Sequence, residues 1–322
     1  MTDSISATPM VSERDRPRLS WLGTAAGVFL GAVLLVAVYA KVLDPSAFAE
    51  QIRIEGLDVL LSAQTVALIA LVLEAGLGLA LLLGIRRPWV LIPAALLVAF
   101  FLFLTGRAWW MAAHGLREAE SCGCFGNLVQ RTPAQAFWQD LLLLVPALLL
   151  SFLGRDRSPR FPTARVAFVA VATIGVALLA WKAPDLPLDD LATRLRPGVA
   201  IAGTCAGEGE DTVCLDTVVP GLKQGKHLVV LADLEDEALG KAVDGLNRIA
   251  DQGGNVWVLS ASPSEQHRAF FWRFGPAFQV VETPEPLLRP LYRRLPRSFR
   301  VENGRVTETY AGLPPTFERF SR

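Results

Sequence analysis

The chain has 322 residues, of which 52% are hydrophobic and only 19% are charged. This length accommodates two domains, and the composition is too apolar for an ordinary soluble enzyme. The 31 basic and 31 acidic residues cancel, so no overall charge favours binding to nucleic acid. The composition therefore indicates a membrane protein, with the lipid bilayer as a partner and no nucleic-acid partner.

Five apolar stretches are long enough, or nearly so, to cross a bilayer core of about 30 Å as helices. The first stretch is long, lacks a clear small-residue cleavage site and is followed by four more, so we expect it to remain in the protein as a span rather than a signal peptide. The predicted transmembrane helices are 21–40, 66–84, 89–105, 137–153 and 164–181.

Arginines crowd three segments that alternating spans place on one side of the membrane: 14–18, 86–87 and 155–165. Positively charged residues near span ends mark the cytoplasmic side. We therefore expect a cytoplasmic tail at 1–20, a location in a bacterial-type inner (plasma) membrane, and residues after 181 in the periplasm or extracytoplasmic space. All four cysteines then lie on the oxidising side.

After the fifth span the pattern becomes that of a soluble α/β domain, preceded by a linker at 182–224. A buried strand opens the domain, helices and strands alternate, and a hairpin turns at Asn303-Gly304. The predicted order is βαβαβαββ. The expected strands are 227–234, 255–261, 278–281, 298–302 and 305–310, and the expected helices are 235–252, 264–274 and 285–294.

The sharpest local motif is Cys122-Gly123-Cys124-Phe125-Gly126, between the third and fourth predicted spans. A disulfide across so small a ring is strained and easily reduced, which suits thiol–disulfide exchange better than stapling. The alternative is that both cysteines simply pack as small apolar residues. No metal site is expected, because only His114 lies close enough in sequence to add a ligand.

With this motif the chain resembles the DoxX-like, methylamine utilisation MauE family of membrane proteins. The resemblance implies a four-helix membrane domain at 21–160, similar in outline to vitamin K epoxide reductase-type proteins, with 161–181 as an added fifth span. It also implies a role in forming or maintaining disulfides in exported proteins. The family's named client is the small subunit of methylamine dehydrogenase, and a quinone is the electron acceptor that the comparison suggests. The resemblance is carried by Gly31 to Lys41, Asp44, Phe48, Leu73-Glu74, Gly84, Arg86 and the Cys122–Gly126 loop.

Two charged residues lie in or beside the predicted spans. Glu74 sits mid-span, where an ionisable side chain is costly unless it faces the bundle interior. It is a candidate for proton handling or for a hydrogen bond between helices. Lys41 lies at the outer end of the first span, where snorkelling to the interface explains it and a functional role is the alternative.

The outer domain, 225–322, resembles the thioredoxin-like fold of the TlpA-like group. Pro296 and the following hairpin look like the cis-proline loop of that family. In active members a Cys-x-x-Cys opens the helix after the first strand, where a helix N-terminus lowers a thiol pKa. The corresponding stretch here, 232–237, reads Ala-Asp-Leu-Glu-Asp-Glu. We therefore expect a domain that is redox-inactive at that position and binds or positions a partner.

Cys205 and Cys214 lie nine residues apart, just upstream of this domain. A structural disulfide, a shuttle pair that exchanges with Cys122 and Cys124, and free or intermolecular thiols are all open at this point.

The sequence thus leads to a membrane thiol–disulfide oxidoreductase that acts on an exported client protein with cysteines. The alternative is a non-catalytic assembly factor or scaffold that binds a partner through its outer domain. A transporter is the third hypothesis, and the spans show no internal repeat to favour it.

Overall fold

A computed structural model describes residues 16–115, 131–156, 161–207 and 212–314. Its described residues form two compact units. The membrane unit comprises 16–39, 65–115 and 131–179, apart from the gap at 157–160, and the outer unit comprises 40–64 and 180–314, apart from 208–211. The last turn of the first helix and the connection that follows it thus belong to the outer unit.

Among the described residues, five helices are long and apolar enough to cross a membrane, and the prediction of five spans is confirmed. A short additional helix, α2, follows the first span. It begins at Pro45 because the Asp44 carboxylate accepts a hydrogen bond from the Ala47 amide and thereby caps the helix. The sequence analysis did not predict this helix. The six helices are α1 (Arg16–Leu43), α2 (Pro45–Ile54), α3 (Ala63–Leu82), α4 (Pro88–Ala113), α5 (Pro133–Leu153) and α6 (Thr163–Lys182).

The membrane unit packs closely where glycines face each other. A Cβ atom added to Gly31 of α1 would lie 2.6 Å from the carbonyl oxygen of Gly78 in α3. A Cβ added to Gly23 would lie 2.6 Å from the Cα of Gly154, just after α5. Small residues allow such backbone contacts, which supply much of the packing between helices in lipid.

Arginines secure the helix connections at one end of the membrane unit. The buried guanidinium of Arg86 donates to the carbonyl oxygen of Gly154, and the Arg86 carbonyl accepts from the Asp156 amide at 3.0 Å. Desolvation lowers the pKa of Arg86, against the opposing effect of Asp156. Arg165, at the start of α6, donates to the carbonyl oxygen of Leu83 at 3.1 Å.

The outer unit is built around a five-stranded mixed sheet, and the prediction of an α/β domain with this order of elements is confirmed. The strand order is β5-β4-β3-β6-β7, with β3, β4 and β5 parallel and β6 and β7 antiparallel to their neighbours. Two short strands, β1 and β2, form a separate hairpin. The strands are β1 (Cys205–Ala206), β2 (Val213–Cys214), β3 (Lys226–Leu231), β4 (Asn255–Ser260), β5 (Gln279–Glu282), β6 (Arg297–Glu302) and β7 (Arg305–Tyr310).

Five helices of the outer unit follow α6 in the chain, and two of them are long. Helices α9 and α10 cover one face of the sheet through buried residues such as Leu239, Leu246 and Phe270. The segment 195–222, with α8 and α11, covers the other face through residues such as Leu215 and Leu222. The helices are α7 (Asp189–Ala192), α8 (Leu215–Val218), α9 (Glu237–Asp251), α10 (Ser264–Phe274) and α11 (Glu285–Leu288).

One predicted helix is shorter than expected. The prediction extended the helix that begins at Glu285 to residue 294, but α11 ends at Leu288 and a single 3₁₀ turn, Arg289–Leu291, follows. Pro290 has no amide hydrogen to donate and disfavours a helical conformation in the residue before it. The chain is extended again at Tyr292.

Candidate functional site

The motif Cys122-Gly123-Cys124 lies in 116–130, outside the described residues. Both flanks of this connection are described. Helix α4 ends at Ala113, and α5 begins at Pro133 behind a capping box in which the Thr132 hydroxyl accepts from the Gln135 amide. The described helix ends on either side of it are therefore well defined.

Aromatic rings pack together at these two helix ends. The ring of Trp109 stacks on Phe137 with centroids 5.2 Å apart, and it meets Trp138 edge-on at 5.7 Å. Trp110 packs on the His114 ring at 4.5 Å. Offset and edge-to-face ring pairs of this kind add stability beyond the area they bury. Their position at a span end also fits the aromatic belt of a membrane interface.

A buried ion pair lies beside the same connection and was not singled out in the sequence analysis. Arg131 contacts Asp140 at 3.2 Å, and both side chains are about one-tenth exposed. Asp140 is the only acidic residue in α5, so the rule that drew attention to Glu74 would also have found it. The pair fixes Arg131, two residues before α5, to the second turn of that helix.

Glu74 is completely buried in α3, so its carboxyl group lies in the interior of the membrane unit and does not face lipid. A buried carboxyl group in this position suits both predicted roles, proton handling and a hydrogen bond between helices.

Lys41 is 2% exposed, so its ammonium group does not extend into solvent. Its Nζ atom lies 4.6 Å from the centroid of the Phe48 ring in α2, a cation–π contact. Asp44 lies between these two residues in sequence and caps α2. These three residues, which are among those that carry the resemblance to the MauE family, thus lie close together in the outer unit. Glu74 belongs to the membrane unit.

The start of α9 is the position at which an active thioredoxin-like protein carries its dithiol. Here Asp233 accepts from the Glu235 amide at 3.0 Å, and Asp236 caps α9 by accepting from the Ala238 amide at 2.8 Å. The hydroxyl of Ser262, which follows β4, lies 3.4 Å from the Asp233 carboxylate. The peptide bond before Pro296 is cis. The outer unit therefore has the predicted cis-proline, and it has carboxylates at the position where active members have cysteine thiols.

A tyrosine near this edge of the sheet has a perturbed pKa. Burial raises the pKa of the Tyr292 hydroxyl, the Arg289 guanidinium opposes this shift, and Glu285 and Asp233 add to it. Tyr292 therefore keeps its proton at any physiological pH and can act as a hydrogen-bond donor.

Cys205 and Cys214 form a disulfide with an S–S distance of 2.02 Å. They are also directly paired in the hairpin of β1 and β2. Ala206, the residue after Cys205, is buried in the core on one face of the sheet, and Leu215, the residue after Cys214, is buried there too. The bridge thus closes a hairpin whose flanks are part of the folded domain.

Arg297, at the start of β6, is completely buried and connects the sheet of the outer unit to residues 190–195. Its guanidinium donates to Asp190 at 2.9 Å and to the Thr193 hydroxyl at 2.5 Å. It also donates to the carbonyl oxygens of Leu291 and Leu195. Burial lowers the pKa of Arg297, against the opposing carboxylates of Asp189 and Asp190. The sequence analysis missed this cluster.

Comparison with protein families identifies the membrane unit. Residues 19–153 match the family described as methylamine utilisation protein MauE. This part of the chain is a MauE-like domain. The match covers less than half of the chain and includes the positions of Cys122, Cys124 and Glu74, whereas α6 and residues 180–314 of the outer unit lie beyond it. The predicted resemblance is confirmed. No curated protein is a significant match.

Solved structures similar to this chain are thioredoxin-like. One is a putative thiol:disulfide interchange protein DsbE from Chlorobium tepidum, with 16% identity over 38% of this chain and 89% of that chain and a TM-score of 0.30. Another is the bacterioferritin comigratory protein of Xanthomonas campestris, with 17% identity over 37% of this chain and 86% of that chain and a TM-score of 0.26. A thioredoxin-like protein from Bacteroides caccae is 11% identical, with 100% of this chain and 97% of that chain covered and a TM-score of 0.29.

The chain is thus a membrane protein with a MauE-like domain, a fifth apolar helix and an α/β outer domain built on a mixed sheet. Among the described residues, the outer domain has its cysteines bridged at the hairpin of β1 and β2 and carboxylates at the start of α9.

Proposed function

We propose that this chain is a membrane redox protein that forms, carries or maintains disulfides in exported proteins through Cys122 and Cys124. The observation that carries the proposal is the MauE match over 19–153, which spans both cysteines. The start of α9 has carboxylates where a dithiol would lie, so the proposal assigns the exchange chemistry to the membrane pair and not to the outer domain.

The proposed reaction transfers two electrons from the client to the membrane pair. A client thiolate attacks the Cys122–Cys124 disulfide and forms a mixed disulfide with Cys122, and Cys124 leaves as a thiolate. A second client thiolate then displaces Cys122. The client gains a disulfide, and Cys122 and Cys124 become a dithiol. Reoxidation requires an acceptor of two electrons, for which a quinone is the proposed class.

The orientation forms part of the proposal. The arginines at the connections after α3 and after α5, Arg86 and Arg155 among them, favour a cytoplasmic location for that end of the membrane unit. The outer domain and both cysteine pairs are then extracytoplasmic. Protease added to intact spheroplasts should remove the outer domain and leave the amino-terminal tail intact, and a protected carboxyl terminus would contradict this orientation.

The decisive experiment is to trap a client. In the reverse direction, the Cys122 thiolate attacks a client disulfide and Cys124 would normally displace the client, so full-length protein with Cys124→Ala should accumulate a mixed disulfide between Cys122 and an oxidised client. The matched control is Cys122→Ala with Cys124→Ala, which should trap nothing. Alkylation in cells should also find Cys122 and Cys124 as a mixture of reduced and oxidised forms that shifts with added reductant.

A scaffold that assembles a partner protein is the second candidate function, and the acidic start of α9 favours it specifically. Under this alternative, Cys122 and Cys124 are permanently reduced or permanently bridged, and Cys122→Ser supports wild-type oxidation of the client. The alkylation experiment therefore separates the two functions, because only the redox function requires both states of the pair.

A further inference from the structure

The membrane unit has an apolar groove where α6 meets α3 and α4. Its volume is about 300 Å³, and its walls are almost entirely apolar. The side chains that form these walls include Leu77, Ala80, Trp89, Val90, Val166 and Val169. Helix α6 therefore does not pack closely against α3 and α4 along this stretch.

The depth of the groove matches part of one lipid leaflet. On α6 the groove ends at Thr173, which faces Gly76 of α3, since a Cβ atom added to Gly76 would be in ordinary contact with Thr173 at 3.5 Å. From Val166 to Thr173 a helix rises about 10 Å. One leaflet supplies about 15 Å of hydrocarbon, so the groove suits the headgroup-proximal part of a single acyl chain.

The other end of the groove has a cationic and aromatic rim. Arg165 precedes Val166, is exposed, and donates to the carbonyl oxygen of Leu83. The Arg87 guanidinium lies over the Phe161 ring at 5.6 Å, and the same ring stacks on Trp89 at 6.2 Å. Arginines beside tryptophan are typical of the headgroup level of a membrane.

We infer that this groove holds one anionic phospholipid. Arg87 and Arg165 bind its phosphate, and one acyl chain occupies the groove between α3, α4 and α6. Helix α6 lies beyond the MauE match, so the lipid fills the space between the added span and the MauE-like domain. The inference is independent of the proposed redox function.

Three probes distinguish the parts of this ligand. An anionic phosphatidylglycerol with two oleoyl chains has both the charge and the chain. A phosphatidylcholine with the same chains fills the groove but has no net charge. Inorganic phosphate has the charge but no chain. Binding of each is measured by native mass spectrometry on the full-length, delipidated protein in detergent.

Phosphatidylglycerol should bind with a stoichiometry of one, more tightly than phosphatidylcholine, and phosphate should not bind measurably. Arg165→Ala and Arg87→Ala should each weaken phosphatidylglycerol binding by about fivefold. Lys182→Ala removes a charge from the opposite end of α6 and should change nothing. Val169→Phe fills the groove and should weaken binding, whereas Val171→Phe, at an exposed position of the same helix, should not.

Several results would overturn the inference. If phosphatidylcholine bound with the same affinity as phosphatidylglycerol, the arginines would not recognise the anionic headgroup. Equal effects of the two valine substitutions would show that lipid does not enter the groove. Binding of inorganic phosphate with the same affinity as phosphatidylglycerol would show that the arginines hold an anion without an acyl chain.

Discussion

The two units of this protein are stabilised by different kinds of contact. In the membrane unit, helices meet where side chains are absent, as at Gly31 and Gly78. In the outer unit, a large charged side chain, Arg297, is completely buried and connects segments distant in sequence. The difference follows from the solvent. In lipid, apolar burial does not drive helices together, and close packing must do so. In water, apolar burial stabilises the sheet core, and a polar side chain enclosed in it must be hydrogen-bonded.

The largest expected effect is the loss of the buried arginine. Arg297→Ala removes the donors to Thr193, Leu195 and Leu291 and leaves their oxygens buried. It should destabilise the outer unit by about 4 kcal/mol, with faster native-state hydrogen exchange in β3 and β6. The exposed Arg294→Ala is the control and should change little. Equal exchange in both variants would show that the cluster is not a source of stability.

The second effect is overpacking in the membrane unit. Gly31→Ala places a Cβ 2.6 Å from the Gly78 carbonyl oxygen, which forces α1 and α3 apart. We expect a loss of about 3 kcal/mol, measured as a lower unfolding temperature in detergent. Gly175→Ala in α6 has open space around the added methyl and should be neutral. If Gly31→Ala were also neutral, the close helix contact would not stabilise the membrane unit.

Opening the hairpin disulfide should have an intermediate effect confined to the outer unit. Cys205→Ser removes the restriction of the unfolded chain and should cost about 2 kcal/mol. The client should still become oxidised, because the proposed reaction uses the other pair. Cys122→Ser is the matched variant and should leave the outer unit's stability unchanged while client thiols accumulate. Loss of client oxidation in Cys205→Ser, with the outer unit still folded, would instead support a shuttle role for this disulfide.

The smallest effect tests the start of α9. Asp236→Ala removes the cap on the Ala238 amide and should cost about 1 kcal/mol, seen as increased exchange in the first turn of α9. Glu235→Ala, an exposed neighbour, should have no such effect. A loss of client oxidation in Asp236→Ala at full stability would mean that the carboxylate itself contributes to the chemistry.

The sequence predicts elements where one local rule decides them. Apolar length identified all five spans, and short strand-like runs between helical segments identified the five strands of the main sheet. The predicted helix 264–274 has the observed bounds. Two features that the sequence analysis did not predict also follow local rules. Asp44-Pro45 is a typical helix start and indicates α2. Asp140 is a charged residue in an apolar span and indicates a buried partner.

Contacts between distant residues could not be predicted in this way. Arg297 bonds to Thr193, 104 residues earlier, and no local pattern pairs the two. Arg293 likewise binds carbonyl oxygens more than 100 residues earlier, and backbone carbonyls have no sequence signature. The cysteine motif at 122–124 was evident from sequence, and the arrangement of its thiols lies outside the described residues.

The contacts of Arg293 determine where the folded outer unit begins. Its guanidinium donates to the carbonyl oxygens of Ala183 and Leu186, directly after α6, and Asp189 lies 3.8 Å from it. Arg293 is buried, so a shortened outer unit that began after residue 189 would leave its guanidinium without these partners in a site with little access to water. Residues 183–189 are therefore part of the folded outer unit.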